Sequence, residues 1–272
     1  MIKVYAKVSA GFSVYSDVEF FSFPGGEHHL KPGPAAGEQM PTHVVVSGSD
    51  VNDYLKAALW IDYAKRQGAE HVAAHIPYLP AARADRGEPF GALVYANLIN
   101  AMGADEVICF DPHSPVMPAL INNLKIVSSA AAIAAHTAGR GYVGIIAPDA
   151  GAVQRATDAA RAMELPVIRA SKVRDFATGK LTGFACEDLP NEGRLLVVDD
   201  ICDGGGTFRG LAAATGLGPE RLDLWVSHGI FSKAAGELRN HYGAILTTDS
   251  HPGHTNPEVN ADIAPISSIF AN

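Results

Sequence analysis

The chain has 272 residues, enough for one large domain or for two domains of roughly 100 to 150 residues each. Its residues are 47% apolar and 18% charged, a composition that fills a packed core and excludes a disordered chain. The formal net charge of -8 excludes the basic surface that nucleic-acid-binding proteins normally present. Phosphorylated metabolites stay open as ligands, because they need only a local cluster of hydrogen-bond donors.

The cysteines and the apolar runs bear on the compartment. Cys109, Cys186 and Cys202 are odd in number and far apart, which is typical of a reduced protein and not of a disulfide scaffold. The first residues lack a charged region followed by a long apolar one, and no apolar run reaches the ~18 residues of a membrane span. We therefore expect a soluble cytoplasmic protein with neither a membrane nor a nucleic acid as partner.

Apolar runs and helix-like segments alternate along the chain. The runs are mostly apolar throughout, as in strands buried on both faces of a parallel sheet. They are residues 44–47, 72–78, 107–111, 143–148, 195–201, 224–227 and 244–248. Helices are predicted between them at residues 53–67, 91–102, 128–137, 150–163, 207–215 and 232–240. This alternation predicts the α/β class, with mainly parallel sheets flanked by helices.

Glycines indicate where the predicted helices end. Gly68, Gly103 and Gly139 each follow a helix, and glycine ends helices by adopting the left-handed conformation. The Gly-rich link at 138–142 predicts a boundary between two domains, residues 1–140 and residues 141–272. The stretch 25–41, which is rich in proline and glycine, is predicted to be an exposed loop or irregular arm.

The strand that begins at Leu195 carries the clearest chemical pattern. It leads into three acidic residues, three glycines and a threonine: Asp199, Asp200, Asp203, Gly204, Gly205, Gly206 and Thr207. At such a strand-to-helix turn, backbone amides and the helix dipole bind an anion, and Thr207 is predicted as the N-cap and as a hydroxyl donor to a phosphate. The carboxylates suit sugar hydroxyls or a metal. A phosphorylated sugar satisfies both ends, whereas the alternative is a tight turn with solvated carboxylates.

This segment resembles a known ribose-phosphate-binding signature. LLVVDDICDGGGTF, residues 195–208, is similar to the signature that type I phosphoribosyltransferases share with phosphoribosyl pyrophosphate synthetases. Four further segments resemble the synthetases alone and occur in their order: IPYLPAARADR at 76–86, GADEVICFDPHS at 103–114, IAPDAGAVQR at 146–155 and VSHGIFS at 226–232. The chain is thus identified as a short and divergent member of the ribose-phosphate pyrophosphokinases.

The resemblance implies a fold and a reaction. It implies two phosphoribosyltransferase-like domains, the N-terminal one on the ATP side and the C-terminal one binding ribose phosphate. In this family the anomeric hydroxyl of ribose 5-phosphate attacks the β-phosphorus of ATP, giving phosphoribosyl pyrophosphate for nucleotide biosynthesis and AMP, with Mg²⁺. The chain has no G-x-x-x-x-G-K-[ST] sequence, so a Walker loop does not hold the ATP.

The resemblance also implies roles close to the transferred group. Lys172 and Arg174 match the catalytic Lys-x-Arg on a mobile loop, and the polar stretch 175–183 that follows is predicted to be mobile. Two cations on a closing flap suit a transfer that depends on positioning and charge stabilisation. His113 and Asp149 match the site of the ATP-bound magnesium. Because Mg²⁺ prefers oxygen ligands, His113 is interpreted as a metal or phosphate neighbour.

Two further segments match the nucleotide site of the family. Arg83 and Asp85 correspond to residues around the adenine and the phosphates of ATP. Phe23 and Glu27 resemble the loop that reaches the adenine bound to a neighbouring subunit. The expected partners are therefore ATP, ribose 5-phosphate or a related phosphoribosyl compound, and further copies of the chain in a homodimer or a larger homo-oligomer.

Departures from the family pattern leave the acceptor open. Gly25 and Ala84 replace side chains that lie near the adenine in the family. There is little room before Phe23 for the first helix of the family. Residues 87–91 lack the positively charged segment that the family associates with phosphate activation and ADP inhibition. Gly204 replaces a threonine, which removes a hydroxyl from the phosphate site and widens it. A larger acceptor such as ADP-ribose is therefore an alternative to ribose 5-phosphate.

Two other kinds of protein are alternatives to a pyrophosphokinase. A phosphoribosyltransferase would carry a base-binding hood in place of the segments at 76–86 and 103–114. A non-catalytic regulatory homologue is disfavoured, because Lys172, Arg174 and His113 are retained together with Asp149.

Overall fold

The computed structural model describes residues 1–8, 11–14, 18–33, 40–174 and 181–271. The chain divides into two compact units, Met1–Val127 with Ile266–Asn272, and Ser128–Pro265. The predicted domains differ from these units in placing residues 128–140 in the first half and the C-terminal segment in the second. The domain boundary at 140/141 stays a prediction.

The first unit is built on a six-stranded sheet. The strands described in this unit, including two outside the sheet, are β1 (Ile2–Val8), β2 (Gly11–Val14), β3 (Val18–Ser22), β4 (His28–Pro32), β5 (His43–Val46), β6 (Ala73–His75), β7 (Glu106–Phe110) and β8 (Leu124–Val127). The sheet order is β2-β1-β5-β6-β7-β8, and β3 and β4 form a separate hairpin. The strands from β5 to β8 are parallel, whereas β1 is antiparallel to both of its neighbours.

The helices of the first unit cover this sheet. Before residue 128 they are α1 (Val51–Arg66), α2 (Gly91–Ala101) and α3 (Val116–Leu120). The carboxylate of Asp50 caps α1 by accepting a hydrogen bond from the Asn52 N–H at 3.0 Å. The fully buried Trp60 anchors α1, since its indole N–H donates to the Pro41 carbonyl at 3.3 Å. These contacts fix the helix that follows the central strand β5.

The second unit is built on a seven-stranded sheet. Its elements are α4 (Ala130–His136), β9 (Tyr142–Ala147), α5 (Val153–Met163), β10 (Val167–Arg174), β11 (Leu181–Cys186), β12 (Arg194–Cys202), α6 (Gly206–Thr215), β13 (Leu222–Gly229), β14 (Ile245–Thr248) and β15 (Asp262–Ala264). The order is β11-β10-β9-β12-β13-β14-β15. All pairs are parallel except β10 with β11. A 3₁₀ helix spans Lys233–Asn240, and the last helix, α7 (Ile266–Ala271), belongs to the first unit.

The prediction of an α/β fold with mainly parallel sheets is confirmed. Every residue of strand β13 is buried, including the polar residues Asp223, Ser227 and His228. Gly68, Gly103 and Gly139 have φ values of 92°, 73° and 78°, which confirms the predicted helix ends. None of the helices in the described residues is long and apolar enough to cross a membrane.

One predicted loop is partly a strand. Within the stretch 25–41, residues His28–Pro32 form β4, which pairs with β3, while residues 34–39 lie outside the described part of the chain. Leu30 is buried against the core of the first unit, and this tertiary contact outweighs the local signal of the surrounding prolines and glycines.

Candidate functional site

The glycine-rich loop of the second unit joins β12 to α6. Gly205 precedes the first residue of α6 with φ 75°, and a Cβ there would lie 3.0 to 3.1 Å from side-chain carbons of Leu238. Both the backbone conformation and the packing therefore require glycine at this position. Gly206 has no neighbouring atom within 4 Å of the place a Cβ would occupy. The first amides of α6, which lack acceptors within the helix, start beside this open position.

The predicted N-cap at Thr207 is wrong. Gly205 occupies the N-cap position and makes no side-chain capping bond, and Thr207 lies within the first turn of α6. The left-handed conformation of Gly205 turns the chain early enough for the helix to begin at Gly206. The role of the Thr207 hydroxyl as a phosphate donor stays a prediction.

Two carboxylates stand side by side on β12, just before this loop. The guanidinium of Arg155 on α5 lies 3.7 Å from Oδ1 of Asp199 and 3.5 Å from Oδ2 of Asp200. The three side chains are largely buried, with 10% exposure for Arg155, 14% for Asp199 and 6% for Asp200. Burial raises the pKa of Asp199 well above its usual range, and the adjacent Asp200 raises it further. One cation thus faces two acids, which favours a ligand that brings hydroxyl donors or positive charge.

A second group of contacts holds the loop from the side of residues 232–234. The Ser232 hydroxyl donates to the Asp203 carboxylate, and the Ser232 N–H donates to the Asp203 carbonyl at 3.1 Å. Arg209 on α6 donates to the carbonyls of Gly204 at 2.8 Å and Ala234 at 3.0 Å. These bonds fix the backbone of the loop through side chains that are distant in sequence.

Arg155 and Arg209 are absent from the residues predicted from the sequence. Arg155 ends the segment 146–155 that resembles the family, and this was the available signal. Arg209 lies in no comparable motif. Its contacts with the loop can be recognised only once the fold is known.

The residues predicted to lie near magnesium belong to different units. Asp149 follows β9, and its Oδ1 accepts the N–H groups of Gly151 at 3.0 Å and Ala152 at 3.2 Å, which shapes the turn into α5. His113 is exposed in the first unit after β7. Among the described residues, no three His, Cys, Asp or Glu side chains form a metal-binding group. A carboxylate such as that of Asp149 still fits Mg²⁺, which uses one or two carboxylates with waters and substrate phosphates.

In the first unit, two of the predicted segments meet at Asp85. Asp85 accepts hydrogen bonds from Ser114 and from the Arg86 Nε at 3.2 Å, and these bonds, with the nearby His113, lower the pKa of its carboxyl. Asp85 is thereby linked to the loop of residues 111–114, whereas Arg83 stays exposed to solvent. The structure thus brings Asp85 and His113 together beside an exposed arginine.

Phe23 and Glu27 close the turn of the hairpin between β3 and β4. The Phe23 N–H donates to the Glu27 carbonyl, and the Gly26 N–H donates to the Phe23 carbonyl, each at 2.8 Å. The Phe23 ring is 48% exposed and stacks on His29 with 5.8 Å between the ring centres. The turn therefore presents an aromatic face to solvent, as an adenine contact requires.

Lys172 and Arg174 lie on a two-stranded ribbon at the edge of the second sheet. Strand β10 pairs with β9 only from Val167 to Arg169, and further on it pairs with β11 alone, with Lys172 opposite Phe184. Residues 175–180 of the predicted mobile stretch lie outside the described residues, and residues 181–183 belong to β11. The catalytic roles of Lys172 and Arg174 stay predictions.

Comparison with known proteins covers both units. The model of the family described as phosphoribosyl transferase domain matches residues 120–258. The ribose-phosphate pyrophosphokinase of Methanopyrus kandleri is 30% identical over 264 residues, which are 91% of this chain and 87% of that protein. The one of Granulibacter bethesdensis is 33% identical over 71% of this chain and 68% of its own length.

A solved structure has the same fold. The crystal structure of phosphoribosylpyrophosphate synthetase from Mycobacterium smegmatis superposes with a TM-score of 0.71 at 20% identity, covering 94% of this chain and 88% of that one. Because 94% of this chain is covered, the similarity includes most of the residues before 120, which the family model does not match.

Proposed function

This chain belongs to the ribose-phosphate pyrophosphokinase family, and from that premise we propose that it transfers the terminal diphosphate of ATP to the anomeric hydroxyl of ribose 5-phosphate. The products are phosphoribosyl pyrophosphate and AMP. The observation that carries the proposal is the sequence of groups around the loop after β12. Buried carboxylates at Asp199 and Asp200 precede a helix start that has open space at the Cβ position of Gly206, so acceptors for sugar hydroxyls lie a few residues from the first amides of a helix, which are donors for a phosphate.

We assign the binding of the sugar phosphate to the second unit. The amides that begin α6, with the Thr207 hydroxyl, hold the 5-phosphate, while Asp199 and Asp200 accept hydrogen bonds from the ribose hydroxyls. Arg155 holds the two carboxylates in place and offsets their mutual repulsion. Asp203 positions the loop through its bonds with Ser232.

We assign ATP to residues of the first unit. Arg83 and His113 contact the phosphates, Asp85 fixes the loop that carries His113, and Phe23 with Glu27 contacts an adenine. Asp149, which belongs to the second unit, offers carboxylate oxygens for Mg²⁺, an ion that neutralises charge on phosphates when it is bound. Because the Phe23 turn serves a neighbouring subunit in the family, this assignment includes a homo-oligomer.

Lys172 and Arg174 are assigned to the transfer itself. In phosphoryl transfer the protein contributes mainly positioning and electrostatic stabilisation, so cations beside the transferred group stabilise the charge that spreads over its oxygens. Their place on a ribbon that leaves the sheet edge is compatible with approach to a bound substrate.

A second candidate function changes only the acceptor. Gly204 has no side chain where the family pattern has a threonine, and its Cβ position has neighbours only at 3.8 Å and beyond. The acceptor is then a 5-phosphoribosyl compound extended at its phosphate, such as ADP-ribose.

One assay tests the reaction and compares the acceptors. The protein is incubated with ATP and Mg²⁺, and with ribose 5-phosphate or ADP-ribose in parallel, and AMP and the diphosphorylated sugar are quantified. We expect AMP in equal amount to the new product with ribose 5-phosphate. Preferential turnover of ADP-ribose supports the second candidate. ATP hydrolysis without a sugar product, or no AMP with either acceptor, contradicts the proposed function.

A further inference from the structure

Lys233 has an unusual backbone conformation beside the glycine-rich loop. It begins the 3₁₀ helix Lys233–Asn240 directly after Ser232, which is bonded to Asp203. Its φ is 51°, in the left-handed region that favours glycine and that a residue with a long side chain rarely adopts. The side chain is exposed. A lysine is thus held at a strained position next to a candidate phosphate site.

The Lys233 side chain runs past the place that a side chain on residue 204 would occupy. A Cβ on Gly204 would lie 3.9 Å from Cβ and 4.0 Å from Cδ of Lys233, and 3.8 Å from the Ser232 carbonyl oxygen. The larger γ atoms of a threonine would reach into this contact. Gly204 does not have a left-handed φ, in contrast to Gly205, so its backbone would accept a side chain. The Lys233 side chain therefore lies against residue 204, at van der Waals distance from the place of a Cβ.

The other cation that contacts the loop is already engaged. Arg209 donates to the Gly204 and Ala234 carbonyls, and its Nε lies 3.3 Å from Oε2 of Glu237. The Lys233 ammonium is one methylene beyond the Cδ that lies beside Gly204. A lysine is a point charge on a flexible stem, and such ammonium groups bind phosphates.

We propose that Lys233 binds the phosphate of the acceptor, in place of the hydroxyl that residue 204 lacks. The proposal rests on the proposed function, since it takes the loop after β12 to be the ribose-phosphate site. Its ligand is a phosphoryl group on the 5-oxygen of ribose, either a monophosphate or the first phosphate of a diphosphate. The exchange replaces a neutral hydroxyl donor by a cationic ammonium, so it increases the positive charge of the site.

The first test removes the charge and keeps the backbone conformation. Lys233→Met retains an unbranched side chain at the left-handed position, so the thermal unfolding of the full-length protein should stay unchanged. Calorimetric titration should show the Kd for ribose 5-phosphate, and separately for ADP-ribose, raised at least about fivefold. Lys233→Arg should recover most of the affinity. Lys125→Met, at an exposed position of the first unit, is the matched control and should bind like the parent.

The second test uses the contact between the two positions. Gly204→Thr alone should weaken binding, because the threonine displaces the Lys233 side chain. Gly204→Thr combined with Lys233→Gly should bind more tightly than either single variant, since the threonine hydroxyl then takes the place of the ammonium. Purely additive losses would overturn the proposed exchange.

The outcomes separate this inference from the proposed function. If the parent protein binds neither ribose 5-phosphate nor ADP-ribose, the function proposed for the loop fails, and the inference with it. If the parent binds and Lys233→Met leaves the Kd for both compounds unchanged, the role of Lys233 alone is overturned. A loss of affinity for either compound supports it.

Discussion

Gly205 and Gly206 are neighbours that have different physical reasons to be glycine. Gly205 adopts φ 75° and is closely approached by Leu238, so a side chain there strains both the backbone and the packing. Gly206 begins α6 with an ordinary backbone and an open Cβ position, so a side chain there affects only what approaches the helix. A side chain at Gly205 is therefore expected to lower the stability of the fold, whereas a side chain at Gly206 is expected to affect ligand binding.

Alanine substitutions separate these two effects. Gly205→Ala should lower the free energy of unfolding by about 1 to 3 kcal/mol, because alanine is forced into the left-handed region against Leu238. Gly206→Ala should leave the free energy of unfolding unchanged or slightly higher, while weakening the binding of ribose 5-phosphate. Urea denaturation and calorimetric titration measure the two quantities. Equal stability of both variants would contradict this assignment.

Single residues were predictable where their type and local spacing carry the chemistry. Asp199, Asp200 and the glycines after them are of this kind: the sequence alone indicated them, and the structure places them where β12 leads into α6, while their part in binding stays a prediction. Arg155 and Lys233 are of the other kind. Each of them contacts a residue that is far away in the sequence. Arginine and lysine are common residue types, and the local sequence around them does not indicate which distant residue they contact.

At the scale of elements, the buried apolar strands were predictable and the edges were not. Strands such as β9, β12 and β13 are rich in apolar residues and almost wholly buried, because both of their faces are covered. The short strands β3 and β4 and the ribbon of β10 and β11 pair antiparallel and are partly exposed, so their sequences do not differ from those of loops. Their existence depends on pairing partners that local patterns do not specify.

The amino ends of the second sheet are joined by one buried carboxylate. Asp223 on β13 accepts hydrogen bonds from the Tyr142 hydroxyl and Arg194, each at 2.7 Å, and from the Ala244 N–H at 2.8 Å. The two side-chain donors start β9 and β12, and Ala244 precedes β14. This group lies at the opposite ends of the strands from the glycine-rich loop, so it serves the sheet and not the ligand.

Asp223→Ala should lower the free energy of unfolding by about 3 kcal/mol or more, because it leaves a buried hydroxyl and a guanidinium without their acceptor. The matched control is Asp262→Ala. Asp262 pairs with His136 and Arg140 at 46% exposure, so its loss should cost less than about 1 kcal/mol. Chemical denaturation measures the free energy of unfolding of both variants. Similar losses would show that Asp223 stabilises the sheet no more than an exposed ion pair does.

Lys172→Ala tests the ribbon. Because Lys172 is assigned to the transferred group and not to the sugar phosphate, kcat should fall by about a hundredfold or more while the Kd for ribose 5-phosphate stays within twofold. Lys125→Met again serves as the control for loss of an exposed positive charge. An unchanged kcat would remove Lys172 from the reaction, and a parallel loss of sugar-phosphate affinity would place it in the binding site instead.

At the scale of the whole molecule, a net charge of -8 is combined with two proposed substrates that are anionic. Binding therefore depends on local donors and cations, and these are assigned to different compact units, Arg83 to the first and the loop after β12 to the second. The composition excluded a general basic surface but did not indicate how the donors are divided. That division follows from the order of the elements along the chain.

The assignment of one substrate to each unit predicts separable stabilisation of the molecule. A ligand at 100 times its Kd stabilises the folded state by about 2.7 kcal/mol, which is about 5 to 10 °C in Tm for a chain of this size. Ribose 5-phosphate alone should raise the Tm of the parent. A non-hydrolysable ATP analogue, added together with Mg²⁺ in a separate sample, should also raise it. Arg83→Ala, at an exposed position, should abolish only the shift caused by the nucleotide, and Gly206→Ala only the shift caused by the sugar phosphate. If Arg83→Ala abolished both shifts, the two substrates would not have independent sites, and the assignment of Arg83 to the nucleotide alone would be wrong.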